Sequence, residues 1–114
     1  MEAKAVHKYI GSSPRKMRLL IDLIRGQSVD KAIEILHFHP KHASRDAEKA
    51  LRSAVANIMN NEEGTRLEPE ELFVKEAFVD QGPTLKRISP APMGRAYRIR
   101  KRSCHLTIVV ATKD

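Results

Sequence analysis

Two segments rich in β-branched and aromatic residues, Leu72–Val79 and His105–Ala111, are separated by the long stretch from Asp80 to Cys104, and that spacing constrains the fold more than any other feature of the chain. Loops in hairpins run about two to five residues, so a connection of this length is either disordered or built for a purpose. Its charge argues for purpose. No acid lies between Asp80 and Asp114, whereas Lys86, Arg87, Arg95, Arg98, Arg100, Lys101, Arg102 and Lys113 are all basic. Setting those eight aside leaves 13 of the chain's 21 Lys and Arg against 14 acids, so one segment holds nearly the whole net charge of +7. If the two flanking segments continue as arms of one antiparallel ribbon, about eleven residues per arm at roughly 3.3 Å each carry the tip something like 35 Å from the body. Only Leu85, Ile88, Met93, Tyr97 and Ile99 are apolar in such a finger. A two-stranded ribbon alone in water is marginal, so the finger needs a partner.

The remainder reads as one small domain. At 114 residues with 41% hydrophobic content there is room for one modest core, and no apolar run approaches the roughly 18 residues needed to cross a bilayer. Met1-Glu2-Ala3-Lys4-Ala5 carries charge where a secretory signal would be apolar, which predicts a cytosolic address. Ala3 to Ile10 alternates Ala3, Ala5 and Tyr9 with Lys4, Val6 and Lys8, the period of a strand. Ser13 then Pro14 opens a helix whose Met17, Leu20, Ile21 and Ile24 share a face and which Gly26 ends. Ser28 can cap a second helix, with Val29, Ala32, Ile33 and Leu36 on one face, that Pro40 forbids from continuing. A third, from about His42 to Met59, is drawn by Ala47, Ala50, Leu51, Ala54 and Ile58, with Asn60-Asn61 and Gly64 marking its end.

Catalytic and metal sites are weakly supported. The acids from Glu62 to Glu76 have no nearby nucleophile, phosphate loop or base and read as a solvated face. His37, His39 and His42 are interrupted by Pro40, and Cys104, the sole cysteine, opens an apolar strand as a structural thiol would. No catalytic residue, metal or cofactor is assigned. Nucleic-acid binding fits better, because Arg offers a planar fork of donors to phosphates wherever a backbone passes. Aromatic content of 4% and the lack of tryptophan argue against a base-stacking sheet, so recognition is expected through phosphate and shape. Lys4, Lys8, Arg15, Lys16 and Arg18 form a second basic group, opposed by Glu2 alone, while Glu62, Glu63, Glu68, Glu70 and Glu71 predict an acidic side.

The run Phe78-Val79-Asp80-Gln81-Gly82-Pro83-Thr84-Leu85-Lys86-Arg87-Ile88, then Pro90, Gly94-Arg95-Ala96 and Arg98-Ile99-Arg100-Lys101-Arg102-Ser103-Cys104-His105-Leu106-Thr107-Ile108-Val109-Val110, resembles the bacterial-type large-subunit ribosomal protein twenty-two family. Ser13-Pro14-Arg15-Lys16-Met17-Arg18-Leu19 and Asp22-Leu23-Ile24-Arg25-Gly26 resemble the same family's first helix, so the similarity spans nearly the whole chain. The resemblance implies an α+β fold: three helices packed on a small three-stranded antiparallel sheet, with a long protruding β-hairpin at about residues 81–103 of a single domain. It implies a structural protein of cytoplasmic ribosomes that binds large-subunit ribosomal RNA during assembly. The RNA-binding residues would be Lys4, Lys8, Arg15, Lys16, Arg18, Lys86, Arg87, Arg95, Arg98, Arg100, Lys101 and Arg102. Neighbouring ribosomal proteins are the further partners, and the hairpin tip, Ser89, Pro90, Ala91, Pro92, Met93 and Gly94, would face the nascent peptide in the exit tunnel. No membrane partner and no self-assembly are expected. The tip departs from the family, whose members carry additional Arg or Lys where this chain is neutral and proline-rich. The competing reading is a free RNA chaperone or nucleic-acid-binding regulator, which would show a reading helix or dimer symmetry.

Overall fold

The computed structural model describes residues 2–60, 71–90, 94 and 96–112, the side chains at 87, 89, 90 and 96–100 excepted. Eight elements follow one another: β1 (Glu2–Ile10), α1 (Pro14–Ile24), α2 (Val29–His37), α3 (Ala43–Met59), β2 (Leu72–Gln81), β3 (Leu85–Pro90), β4 (Ala96–Lys101) and β5 (Cys104–Thr112). The predicted faces of α1 and α3 are the buried ones, and on α2 Val29, Ala32 and Leu36 are buried while Ile33 is partly so. Met17, Leu20, Ile21 and Ile24 of α1 are sealed from solvent, as are Ala47, Ala50, Leu51, Ala54 and Ile58 of α3. The alanines keep the α3 surface flat, and it lies against β1, β5 and α2 while α1 covers β2. Ser13 caps α1 as expected, its Oγ accepting from the Lys16 N–H at 3.4 Å. Ser28 stands at the α2 N-cap without a side-chain cap bond. Its backbone forms an isolated antiparallel bridge with Phe73 instead.

The body sheet is antiparallel with the order β1-β5-β2, so the last strand in sequence is the middle one in space. Two bulges set which residues reach the core. On β1, His7 pairs with Leu106 and Ile10 with Cys104, so Lys8 and Tyr9 together oppose the single His105. Plain alternation from Ala5 would turn residue 9 inward; the bulge hands that place to Ile10, 5% exposed, and leaves Tyr9 69% exposed. On β2, Val74 pairs with Val110 and Glu76 with Val109, which leaves Lys75 as the extra residue. The buried set accordingly changes phase from Leu72 and Val74 to Ala77 and Val79.

The free edge of β2 is closed by the α1 side of the molecule. Val74 C=O accepts from the Gly26 N–H at 3.0 Å and Val74 N–H donates to Gln27 C=O at 2.9 Å. Gly26 makes this turn at φ 83°, a conformation that costs glycine little. Farther along, Arg25 Nη2 donates to Ala77 C=O at 2.7 Å and Arg18 Nη2 to Val79 C=O at 3.0 Å. An edge whose carbonyls are taken cannot template another strand.

β3 and β4 form a separate two-stranded sheet, with Lys86 opposite Arg100, Ile88 opposite Arg98 and Pro90 opposite Ala96. The expected continuous arms are therefore corrected: β2 and β5 stop at the Gln81–Cys104 pair, and a joint of Gly82–Thr84 and Arg102–Ser103 intervenes. Pro83 has no N–H to give a ladder, which is the physical reason for the break. The joint is held by Gly82 N–H donating to Ser103 C=O at 2.9 Å and Ser103 Oγ donating to Pro83 C=O at 2.7 Å. The molecule measures 64 × 26 × 15 Å, and its radius of gyration, 17.2 Å, exceeds the roughly 13 Å of a compact chain of this length.

A β-carbon on Gly82 would lie 2.6 Å from Ser103 Oγ and 3.2 Å from its carbonyl carbon. Gly82→Ala is expected to displace the Ser103 hydroxyl from Pro83 and to lower stability by about 1–3 kcal/mol in urea unfolding. A change under about 0.5 kcal/mol, the scale of an ordinary surface substitution, would show that the joint is loose.

Candidate nucleic-acid interface

The bulge at Tyr9, the turn Gly11–Ser13 and the ribbon joint meet at one end of the body. α1 starts there, so its capped first turn holds Lys16 above the joint. On the opposite wall stand Pro83, Leu85, Lys101, Arg102 and Ser103, and the groove between, of about 720 Å³, is also lined by Tyr9, Gly11 and Ser13. Two further hollows continue it. One, lined by Gln81, Thr84, Lys86 and Arg102, runs along the ribbon; the other, lined by Gly11, Ser12, Ser13, Lys16, Lys41, His42 and Ala43, passes between α1 and the start of α3. Arg102 and Lys16 are the shared posts. The tract thus reads Lys41, Lys16, Lys101, Arg102 and Lys86, with no Asp or Glu among the lining residues described.

Cations aligned along a groove are the arrangement that a phosphate backbone neutralises, releasing counterions as it binds. Three of the expected binding residues, Lys16, Lys101 and Arg102, converge in the main groove, and Lys86 joins through the adjoining hollow. Lys4 and Lys8 are exposed on β1 and line none of these hollows; Arg15 is exposed on the first turn of α1 beside Lys16. Arg18 has one guanidinium nitrogen committed to the β2 edge. Arg87, Arg98 and Arg100 have their places in the ribbon's register, while Arg95 and Ala91–Met93 of the expected tip lie outside the described residues. Of the rest of the tip, Ser89 and Pro90 close β3 and Gly94 adopts φ 73°. The acidic cluster Glu62, Glu63, Glu68 and Glu70 is likewise outside them. Lys41 and Tyr9 were not singled out from the sequence; their proximity to the ribbon root arises only when β1 and α3 pack, and no local signal announces it.

The weaker candidates have structural explanations. His37 Nδ1 is 3.3 Å from Glu48 Oε1, and His39 Nδ1 accepts from the Lys41 N–H at 3.2 Å. Among the described residues no group of three or more His, Cys, Asp or Glu is placed to hold a metal ion. A hydrogen bond from Arg52 holds the Glu48 carboxyl below its usual range, burial opposing and His37 adding to the effect. Cys104 is wholly buried at the start of β5. Burial pushes its thiol above the ordinary value, Asp46 adds to the shift and Arg18 works against it.

The fold and the groove define a class, that of small basic α+β proteins with a cationic groove at the root of a two-stranded ribbon. The sequence profile of ribosomal protein L22p/L17e matches residues 5–111, and the chain belongs to that family. It is 57% identical over 112 residues to the large ribosomal subunit protein uL22 of Chlorobium phaeobacteroides, covering 98% of this chain and 96% of that one. The uL22 of Chlorobaculum tepidum is 59% identical over 110 residues, 96% and 92% of the two chains. That of Desulfitobacterium hafniense is 52% identical over 112 residues, 98% and 96%. The family is one of structural ribosomal proteins, and the chain is not an enzyme. No helix among the described residues is long and apolar enough to cross a membrane.

The raised thiol and its burial make a checkable statement about Cys104. At pH 8 the folded protein should react with a thiol reagent such as Ellman's reagent at least about 100-fold more slowly than the urea-unfolded chain, because attack requires an exposed thiolate. Equal rates would mean that the start of β5 is open.

Proposed function

We propose that the cationic tract at the ribbon root holds large-subunit ribosomal RNA during assembly, and that the basic hairpin at about residues 81–103 extends from it to the nascent-peptide exit tunnel. The observation that carries the reading is the convergence of Lys16, Lys101 and Arg102 on one groove, with no Asp or Glu among its described lining residues, in a chain of this family. Lys86, Arg87, Arg95, Arg98 and Arg100 continue the positive charge along the hairpin. Lys4, Lys8, Arg15 and Arg18 supply outlying contacts. In this reading residues 1–114 act as one domain in cytoplasmic ribosomes, beside neighbouring ribosomal proteins, with Ser89–Gly94 facing the nascent peptide.

Anchoring and reach are separate jobs in this reading, since the tip from Ser89 to Gly94 is uncharged. Replacing Lys16, Lys101 and Arg102 together by Ala should lower incorporation into purified large subunits. The same variant should flatten the dependence of log affinity on log salt by about 2 to 3 for an RNA fragment, one phosphate contact being lost per residue. Deleting Ser89–Met93 should leave incorporation near normal and alter nascent-chain or drug behaviour in the tunnel. An unchanged salt slope in the triple variant, or a tip deletion that blocks incorporation as severely, contradicts the division. A protein found chiefly free of large subunits under gentle lysis would favour the RNA-chaperone alternative.

A further inference from the structure

Tyr9 is the one non-glycine residue with positive φ among those described, at 58°. A left-handed conformation strains a residue with a β-carbon, and such outliers gather where a side chain has a task. The local structure sustains the strain deliberately. The Tyr9 N–H donates to His105 Nδ1 at 3.0 Å, and the two rings meet edge to face, centroids 4.9 Å apart at 86°. This fixes the orientation of a phenol ring that stays 69% exposed. The bulge made by this conformation turns Ile10 into the core, but it leaves the Tyr9 ring outside, so core packing accounts for the backbone and not for the ring. The ring instead lines the groove that also holds Lys16, Lys101 and Arg102.

We infer that Tyr9 is a stacking platform for a single unpaired base of the bound RNA, whose flanking phosphates lie on Lys16, Lys101 and Arg102. The inference rests on the RNA-binding reading above and adds to it a base-level contact. The chemistry is complementary: a held aromatic face takes the π-face of any base, while adjacent cations take the charge that accompanies it. The groove volume, about 720 Å³, lies within the range of roughly 300–1,000 Å³ typical of small-ligand sites, which is room for a nucleotide, and only a base outside a continuous stack can lay its face on the ring. An unpaired nucleotide is therefore selected over a paired one. Sparse aromatic content does not oppose this, because one positioned ring suffices for one base.

The test uses the full chain and two probes, a mixed-sequence single-stranded RNA of about ten nucleotides and the perfect duplex of the same sequence. Tyr97→Phe leaves Tyr9 as the only tyrosine in a chain without tryptophan, so emission then reports on that ring alone. The single strand should quench this emission and the duplex should not. Tyr9→Gly should weaken single-strand binding by about 10-fold at unchanged salt slope and leave duplex binding alone. Because glycine accepts the left-handed backbone, the relief of strain offsets the lost contact with His105 and the same variant should melt within about 4 °C of the parent, which separates a lost stack from a lost fold. Tyr9→Phe should bind like the parent. Unaltered single-strand affinity in Tyr9→Gly, or an equal loss on both probes, overturns the inference. If the parent chain binds neither probe, the RNA-binding reading falls as well; if it binds both with steep salt dependence and Tyr9→Gly changes nothing, only the stacking role falls.

Discussion

The structure depends on β5 being the middle strand. β1 and β2 do not pair with each other; within the sheet each is joined to β5. Leu106, Ile108 and Val110 of that strand are fully sealed against the helices, and on its other face Thr107 is 7% exposed between Val6 and Phe78, its register partners on either side. A central strand contributed by the end of the chain makes the sheet a long-range assembly, complete only when the last element docks. It also means that the chain enters the ribbon from β2 and leaves it into β5 as antiparallel neighbours, so the Gln81–Cys104 pair clamps both feet of the ribbon at once. The groove exists because of that clamp.

Arginine serves two purposes here, and geometry separates them. Arg25 reaches Asp22 Oδ1 at 2.8 Å and Ala77 C=O, and Arg18 reaches Val79 C=O, so these guanidinium groups satisfy carbonyls on the outer edge of β2. A planar group with five donors suits that work better than a lysine ammonium would. Lys16, Lys101 and Arg102 instead line an open groove with no carboxylate among the described lining residues. Exposed ion pairs such as Lys75–Glu2, at 2.6 Å between side chains about half exposed, add little stability. The body is held by its apolar layer and by the sealed edge.

What the sequence disclosed follows from how far each signal reaches. Helix phase is local, and Met17, Leu20, Ile21 and Ile24 fall on the buried face as their spacing predicts. Ser13 and Gly26 act within a few residues of their positions and were equally legible. Bulges are not local properties: whether Tyr9 or Ile10 points inward depends on His105 across the ladder, and whether Lys75 is extra depends on Val109. The pair Gly82-Pro83 did carry a visible breaker signal, yet the strand period on both sides suggested continuous arms. Ser28 had the right chemistry for a cap, but its backbone was taken by Phe73. The charge of the binding surface was plain from the absence of acids, whereas its shape was not, since Lys16 and Lys41 come to Lys101 and Arg102 only through the packing of β1, α1 and α3.

The proposed RNA contact lies where β1, the start of α1 and the ribbon joint converge. Amide hydrogen exchange of the full chain, with and without large-subunit ribosomal RNA, measures this directly. New protection should appear at residues 9–16, 82–87 and 101–103, while the exposed side of α2 and the middle of α3 exchange as in the free protein. Protection concentrated on α2 and α3, with the groove segments unchanged, would contradict the account.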